Sequence, residues 1–203
     1  MNNSQDEFGN KLFSWANKNN LQLIVQFHNE QRRLMRNQIV TINKKLDACN
    51  DKDERRELLY AKTVYTNTFD KMLCTNTFLM MYSHLEEFLY HVRKSFGRKQ
   101  VGNDPGSVKR FKELIKNVIG LDLNKDREWE FICDCGKVRN CLLHANGRVS
   151  ISTDKNDLER IINKSCDGLS VKLDRIELSG KLLDKFSNTI ESLIKRIETT
   201  TSP

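Results

Sequence analysis

Apolar side chains recur at helical intervals along most of the chain. From about Asp6 to Cys49 they fall at Phe8, Leu12 and Trp15, then at Ile24, Phe27, Leu34, Ile39, Ile42 and Leu46. The spacing is three, four or seven with slips, which is the pattern of one helix face. Lys18-Asn19-Asn20 offers a place for a break. Asn50-Asp51-Lys52-Asp53 is a turn signal, and Asp51 or Asp53 is suited to cap the helix that follows. A second stretch then runs to about Phe96, marked by Leu58, Tyr65, Phe69, Met72, Leu73, Phe78, Leu79, Met80, Leu85, Phe88, Leu89 and Val92. Two stretches of similar length across a tight turn predict an antiparallel helical hairpin. At about 1.5 Å per residue each arm is on the order of 60 Å long. One small bundle cannot cover that length, so part of the hairpin projects or packs on a second protomer.

Gly97 ends this stretch, and Gly102-Asn103-Asp104-Pro105-Gly106 reads as a loop. Val108, Phe111, Leu114, Ile115 and Val118 mark a short helix from Ser107 to Ile119. Asp126 is placed to cap a helix from Arg127 to His144 or Ala145, and Asn146-Gly147 supplies a left-handed stop. The pattern then changes. Arg148-Val149-Ser150-Ile151-Ser152 alternates like a strand, and Asp154 to Ser165 is a short helix with Leu158, Ile161 and Ile162. Leu169 to Leu173, a turn at Asp174-Arg175, and Ile176 to Leu178 read as a small β-hairpin. Gly180 to Glu198 is a closing amphipathic helix, with a disordered tail from Thr199 to Pro203. The expectation is a mainly α chain forming one domain over 1–203. Its parts are a long helical hairpin (1–98), two shorter helices (107–147), then a small β-hairpin and closing helix (148–198).

Composition refines this picture only slightly. Two prolines in 203 residues, with 30% charged side chains, suit long and partly exposed helices. Lys and Arg number 34 against 27 Asp and Glu, a modest excess of +7 that suits an anionic partner without demanding one. The polar start Met1-Asn2-Asn3-Ser4-Gln5-Asp6-Glu7 has no apolar signal segment, and no run approaches a membrane span. Cys49, Cys74, Cys133, Cys135, Cys141 and Cys166 form no secreted framework, so a cytoplasmic protein with reduced thiols is expected, without a membrane contact.

The candidate chemistry lies in Val138-Arg139-Asn140-Cys141-Leu142-Leu143-His144-Ala145-Asn146-Gly147. Arg139 is always charged and suited to a phosphate, while His144 can move a proton near neutral pH. Five helical positions separate their Cα atoms by roughly 140° and 7.5 Å, a gap that a long arginine can bridge. Asn140 shares a face with His144 and is suited to orient the imidazole or to bond a ribose or phosphate oxygen. At a helix end the backbone dipole favours an imidazolium. A surface arginine, a helix-face amide and a helix-capping histidine would give the same triple. Glu86, beside the apolar stripe of the second stretch, either pairs with Arg139 and holds it ready or is an ordinary acid; Glu87 reads as exposed. Cys133, Cys135, Cys141 and His144 are not read as a zinc set, because Cys133 and Cys135 lie roughly 200° apart around a helix. No metal or cofactor is expected.

The run Arg139-Asn140-x-x-x-His144-x-x-Gly147, placed on a later helix after a long hairpin that carries Leu85-Glu86-Glu87-Phe88-Leu89, resembles the R-N-x-x-x-H signature of HEPN-domain ribonucleases. The resemblance implies a helical bundle built on the hairpin and a homodimer whose two motifs meet at a shared cleft. It implies metal-independent endoribonuclease activity, often in a toxin or an antiviral-defence effector, with an antitoxin or sensor protein as a further partner. Arg139, Asn140 and His144 would be the catalytic residues and RNA the substrate. The 2′-hydroxyl would attack the neighbouring phosphate to leave a 2′,3′-cyclic phosphate and a 5′-hydroxyl, with the general base either the second protomer's His144 or none. Some members of the family lack catalysis, so the competing expectation is an adaptor that binds a protein or nucleic acid.

Overall fold

The chain folds as a long helical hairpin with a smaller helical cluster packed against one end. The structure, a computed structural model, describes residues 3–96, 108–164 and 168–201. The expected stop at Gly97, the 102–106 loop, the start at Ser107, Ser165, Cys166 and the last two residues lie outside the described residues, as do the side chains of Phe8, Leu12, Trp15 and Val118.

Helix α1 (Asn3–Ala48) passes through Lys18-Asn19-Asn20 without the break that three polar residues suggested. Its 46 residues span about 70 Å. Asp51 closes the turn: its carboxylate accepts from the backbone N–H of Asp53 at 3.0 Å and of Glu54 at 2.8 Å, satisfying two orphan donors of the next helix. Helix α2 (Lys52–Thr63) continues through a π-helical turn, Val64–Phe69, into α3 (Asp70–Phe96). Residues on both sides of that turn keep right-handed helical dihedrals, so the arm stays one path.

The core explains which part of the hairpin is supported. It joins Phe78, Met81, Leu85 and Leu89 of α3 to residues from every later element, and among the described side chains of α1 it includes Leu21. Further out, Ile42 and Leu46 are buried outside that cluster, and α2 buries none of its residues. The rest of the chain therefore leaves the distal hairpin uncovered, as its length predicted. Leu23, Phe27, Leu34, Val40, Leu59, Tyr60, Phe69 and Met72 remain exposed along it.

The predicted helix at 107–119 changes pitch along its length. It has a tight turn at Val108–Arg110, α4 (Phe111–Leu114), and a π-helical turn at Ile115–Ile119, yet Val108, Phe111, Leu114 and Ile115 still form its buried side. Helix α5 (Arg127–His144) and α6 (Lys155–Asn163) follow. Residues 148–152 are not a strand. The side chain of Asp174 accepts from the Ser150 backbone N–H at 2.9 Å and from its hydroxyl, and the chain turns between Val149 and Ser152 instead of extending. One isolated antiparallel bridge joins Arg148 to Arg175.

Strands β1 (Leu169–Lys172) and β2 (Arg175–Leu178) form an antiparallel hairpin with Leu169 opposite Leu178. Its turn is Leu173-Asp174, one residue earlier than predicted, with φ of 50° and 64°. Two left-handed residues match the strand twist, and that outweighed the poor suitability of leucine for such a position. Helix α7 (Gly180–Thr201) buries Leu182, Leu183, Phe186, Ile190, Leu193, Ile194 and Ile197. It extends through Thr199–Thr201, where a disordered tail was expected; the Thr199 and Thr200 hydroxyls bond back to the Arg196 carbonyl at 3.1 and 2.8 Å. The protein is thus mainly α, with a small β-hairpin near its C-terminal end, and no helix among the described residues is long and apolar enough to cross a membrane.

Candidate functional site

Helix α5 is fixed at both ends, and its outer face carries the candidate residues. At the start, the Asp126 carboxylate accepts from the Trp129 backbone N–H at 2.8 Å and pairs with Arg196 of α7. Burial pushes the Asp126 pKa up, but Arg196 and the helix N–H groups outweigh it, so the net shift is downward. Arg196 also bonds Glu128 at 3.1 Å. At the end, Ala145 and Gly147 both donate backbone N–H bonds to the Cys141 carbonyl, at 3.0 and 2.9 Å. Asn146 and Gly147 adopt φ of 50° and 74°, the left-handed stop that the sequence predicted. Arg175 then reaches across from β2 and donates to the Asn146 carbonyl at 2.8 Å. The β-hairpin thereby holds the turn that follows His144.

Arg139 occupies the middle of this face and is partly buried, with 25% of its side chain exposed. Its Nη1 donates to Asn140 Oδ1 at 3.1 Å, and its Nη2 lies 3.6 Å from Glu86 Oε2 on α3. The second distance is an ion pair without a hydrogen bond. Beneath them the guanidinium carbon sits 5.8 Å from the ring centroid of Tyr82. Tyr82 is buried and stacks on Phe186 with 6.1 Å between centroids. Burial, with Glu86 nearby, pushes its phenol pKa well up, so it stays neutral under the cation. A guanidinium has five donors. One is directed to Asn140, and the exposed edge remains able to meet an anion.

The structure therefore brings Arg139, Asn140 and Glu86 together and leaves His144 apart. Asn140 turns its side-chain oxygen to Arg139, not toward the imidazole four residues on. His144 is exposed in the last turn of α5, and no hydrogen bond or ion pair joins it to another described residue. Leu143 beside it is 49% exposed. Glu87 is exposed and lies 3.9 Å from His91.

Cys135 and Cys141 are buried in the core beneath the motif, and burial raises the Cys141 thiol pKa. Cys141 Sγ lies 3.5 Å from the Arg148 carbonyl and is buried, whereas His144, three residues on, is exposed. His84 is buried on α3, and His28 bonds Thr77 at 3.0 Å between α1 and α3. On α1, Arg32 pairs with Asp70 at 3.1 Å and Arg33 with Glu30 at 2.6 Å, while Arg36, Lys44 and Lys45 are exposed.

Two residues that position Arg139 escaped the motif reading. Tyr82 stands four residues before Glu86, so both share one face of α3. Gly136 stands three residues before Arg139, inside a helix where glycine costs about 1 kcal/mol relative to alanine. An unexplained mid-helix glycine was the available signal, because it marks a close approach. The approaching group is the Tyr82 phenol. Compared with family models, curated proteins and solved structures, the chain matches none.

Proposed function

We propose that the protein is a HEPN-type endoribonuclease that cuts RNA without a metal, acting as a homodimer. One observation carries this reading: a guanidinium held by Glu86 and Asn140 over Tyr82, on the same helix whose last turn presents an exposed histidine. The RNA 2′-oxygen attacks the adjacent phosphorus and a new P–O bond forms. Its proton passes to the second protomer's His144 or to water. The bond from phosphorus to the 5′-oxygen breaks, and protonated His144 supplies that oxygen with a proton. Arg139 neutralises the charge that builds on the phosphoryl oxygens between these events. The products are a 2′,3′-cyclic phosphate and a 5′-hydroxyl. A cytoplasmic toxin or defence effector, checked by an antitoxin or sensor protein, is the setting the resemblance implies. A second copy is supported by exposed Leu143 beside His144 and by the uncovered distal hairpin.

A non-catalytic adaptor is the second reading. The observation that favours it is the uncharged groove between the hairpin arms, about 440 Å³, lined by Phe27, Leu34, Tyr65, Phe69 and Met72 among others. Incubating the purified protein with mixed RNA in EDTA, beside His144→Ala, separates the two. Fragments ending in cyclic phosphate from wild type alone support the ribonuclease. Intact RNA from both proteins supports the adaptor.

A further inference from the structure

We propose that Arg148, Arg175 and Lys172 form a phosphate-binding row for a single RNA strand, beside the end of the motif helix. The inference rests on the reading of His144 as the acid that serves a bound RNA, and it adds residues outside the motif to that site.

The row follows from register. Arg148 faces Arg175 in the isolated antiparallel bridge, and Arg175 faces Lys172 across the β-hairpin. Residues directly opposite in such pairs project to one face, with Cβ atoms about 5 Å apart, and like charges placed so are destabilising. At about 4.8 Å between neighbouring strands, the three cations span roughly 10 Å. All three side chains are exposed. None of the three has an ion pair with a described carboxylate. The nearest acid in sequence, Asp174, directs its two oxygens at the Ser150 N–H and hydroxyl. Arg175 uses Nη1 on the Asn146 carbonyl, and the rest of its fork is free of such bonds among the described residues. Asp174 lies near enough for Arg148 to lower its carboxyl pKa, but its oxygens are taken up by Ser150 and it forms no ion pair with the row, so three lined-up cations leave a place for an anion.

Position selects the anion. The Arg148 N–H donates to the Ala145 carbonyl at 2.9 Å, closing a turn that starts one residue after His144. Such a turn keeps its end Cα atoms within about 7 Å, so Arg148 lies within about 11 Å of His144 between Cα atoms. A strand whose scissile phosphate meets His144 therefore carries its neighbouring phosphates over the row. A linear row suits a chain that bears one charge per nucleotide.

The test is fluorescence anisotropy with a short 2′-O-methyl oligouridine, which lacks the nucleophile and stays intact, titrated across a range of NaCl. Arg148→Gln and Lys172→Gln should each weaken binding and flatten the log–log salt slope by about 0.7, and the double variant by about 1.4. Arg175→Lys, which keeps the charge beside the Asn146 turn, should leave the slope near wild type. Arg56→Gln, on the distal hairpin, should change neither quantity. The proposal falls if the double variant keeps the wild-type slope, if the oligonucleotide does not bind, or if polyglutamate displaces it at equal charge. The two readings fail separately. RNA cut by wild type with an unchanged slope in the double variant rejects the row and keeps the ribonuclease. An oligonucleotide held by the row while RNA is never cut keeps the row and rejects the ribonuclease.

Discussion

The Tyr82 phenol rests so close to Gly136 that a β-carbon on residue 136 would lie 2.7 Å from Tyr82 Oη. Tyr82 has little room to yield, because it is buried and packed against Phe78 and Phe186. The pair sets how deeply Arg139 can settle over the ring. Gly136→Ala should therefore destabilise the protein by about 1–3 kcal/mol, the usual cost of overpacking. In a Tyr82→Phe background the clash partner is gone. The same change should then be neutral or stabilising by up to about 1 kcal/mol, the helix preference of alanine over glycine. Urea unfolding of the four proteins measures this sign reversal, and equal effects in both backgrounds would rule out the contact.

His28 makes stability depend on pH. Its pKa is held below its ordinary value of 6.5, first by burial and then by the Arg32 cation, against the weaker pull of Asp70 and Asp184. The unfolded chain therefore binds the proton more readily than the folded one. The contribution is fully present above about pH 6.5 and is lost as pH falls through the lower folded pKa. Melting temperature should drop between pH 7.5 and 5.5 in wild type and drop less in His28→Gln. Glutamine can keep the Thr77 bond but cannot titrate. Parallel curves for the two proteins would remove His28 from the account.

How much of this was legible in the sequence depends on the range of the forces involved. The hairpin, the Asp126 cap and the Asn146-Gly147 stop come from local rules, and spacing and cap chemistry reveal them directly. The possible break at Lys18-Asn19-Asn20 does not occur in α1, because a run of three polar residues is compatible with either a helix or a turn. The 148–152 segment was misread because its alternation is real, but an Asp174 side chain from far along the chain captures Ser150. The turn at Leu173-Asp174 was displaced because hairpin register, and not residue preference, places it. At the candidate site the Glu86–Arg139 approach could be guessed from a stripe-edge acid. The direction of Asn140 depends on a rotamer that no spacing encodes.

A dimer should form at micromolar concentration. The groove between the hairpin arms carries Phe27, Tyr65, Phe69 and Met72, and its lining has no charged residue, whereas the whole chain is 30% charged. Depletion of charge with aromatic and methionine enrichment is the mark of an interface core. Light scattering of the wild type should give twice the chain mass. If this face holds the dimer, Phe69→Glu should halve the mass; if Leu143→Glu halves it instead, the protomers meet beside His144. A monomeric wild type that still cuts RNA would remove the second protomer from the mechanism.

The sharpest separation of enzyme from adaptor lies in Arg139 and the residues that hold it. If Arg139 stabilises transition-state charge, Arg139→Ala should lower kcat by about 10²–10³ while the protein stays folded. Arg139→Lys should recover little of this, because a point charge cannot present the planar fork to two phosphoryl oxygens. Glu86→Gln tests positioning. The Glu86 and Arg139 side chains are 27% and 25% exposed, so removing the charge should cost less than about 1 kcal/mol of stability. It should cost about tenfold in kcat, or ~1.4 kcal/mol of barrier, with KM little changed, because the guanidinium loses its anchor. DNA of the same sequence should bind weakly and stay intact, since it lacks the attacking 2′-hydroxyl. Single-turnover cleavage assays give each quantity. If Arg139→Ala and His144→Ala both cut RNA like wild type, the adaptor reading replaces the ribonuclease. If DNA is cut as fast as RNA, the 2′-hydroxyl is not the nucleophile, and a water-activating chemistry at this face must be sought instead.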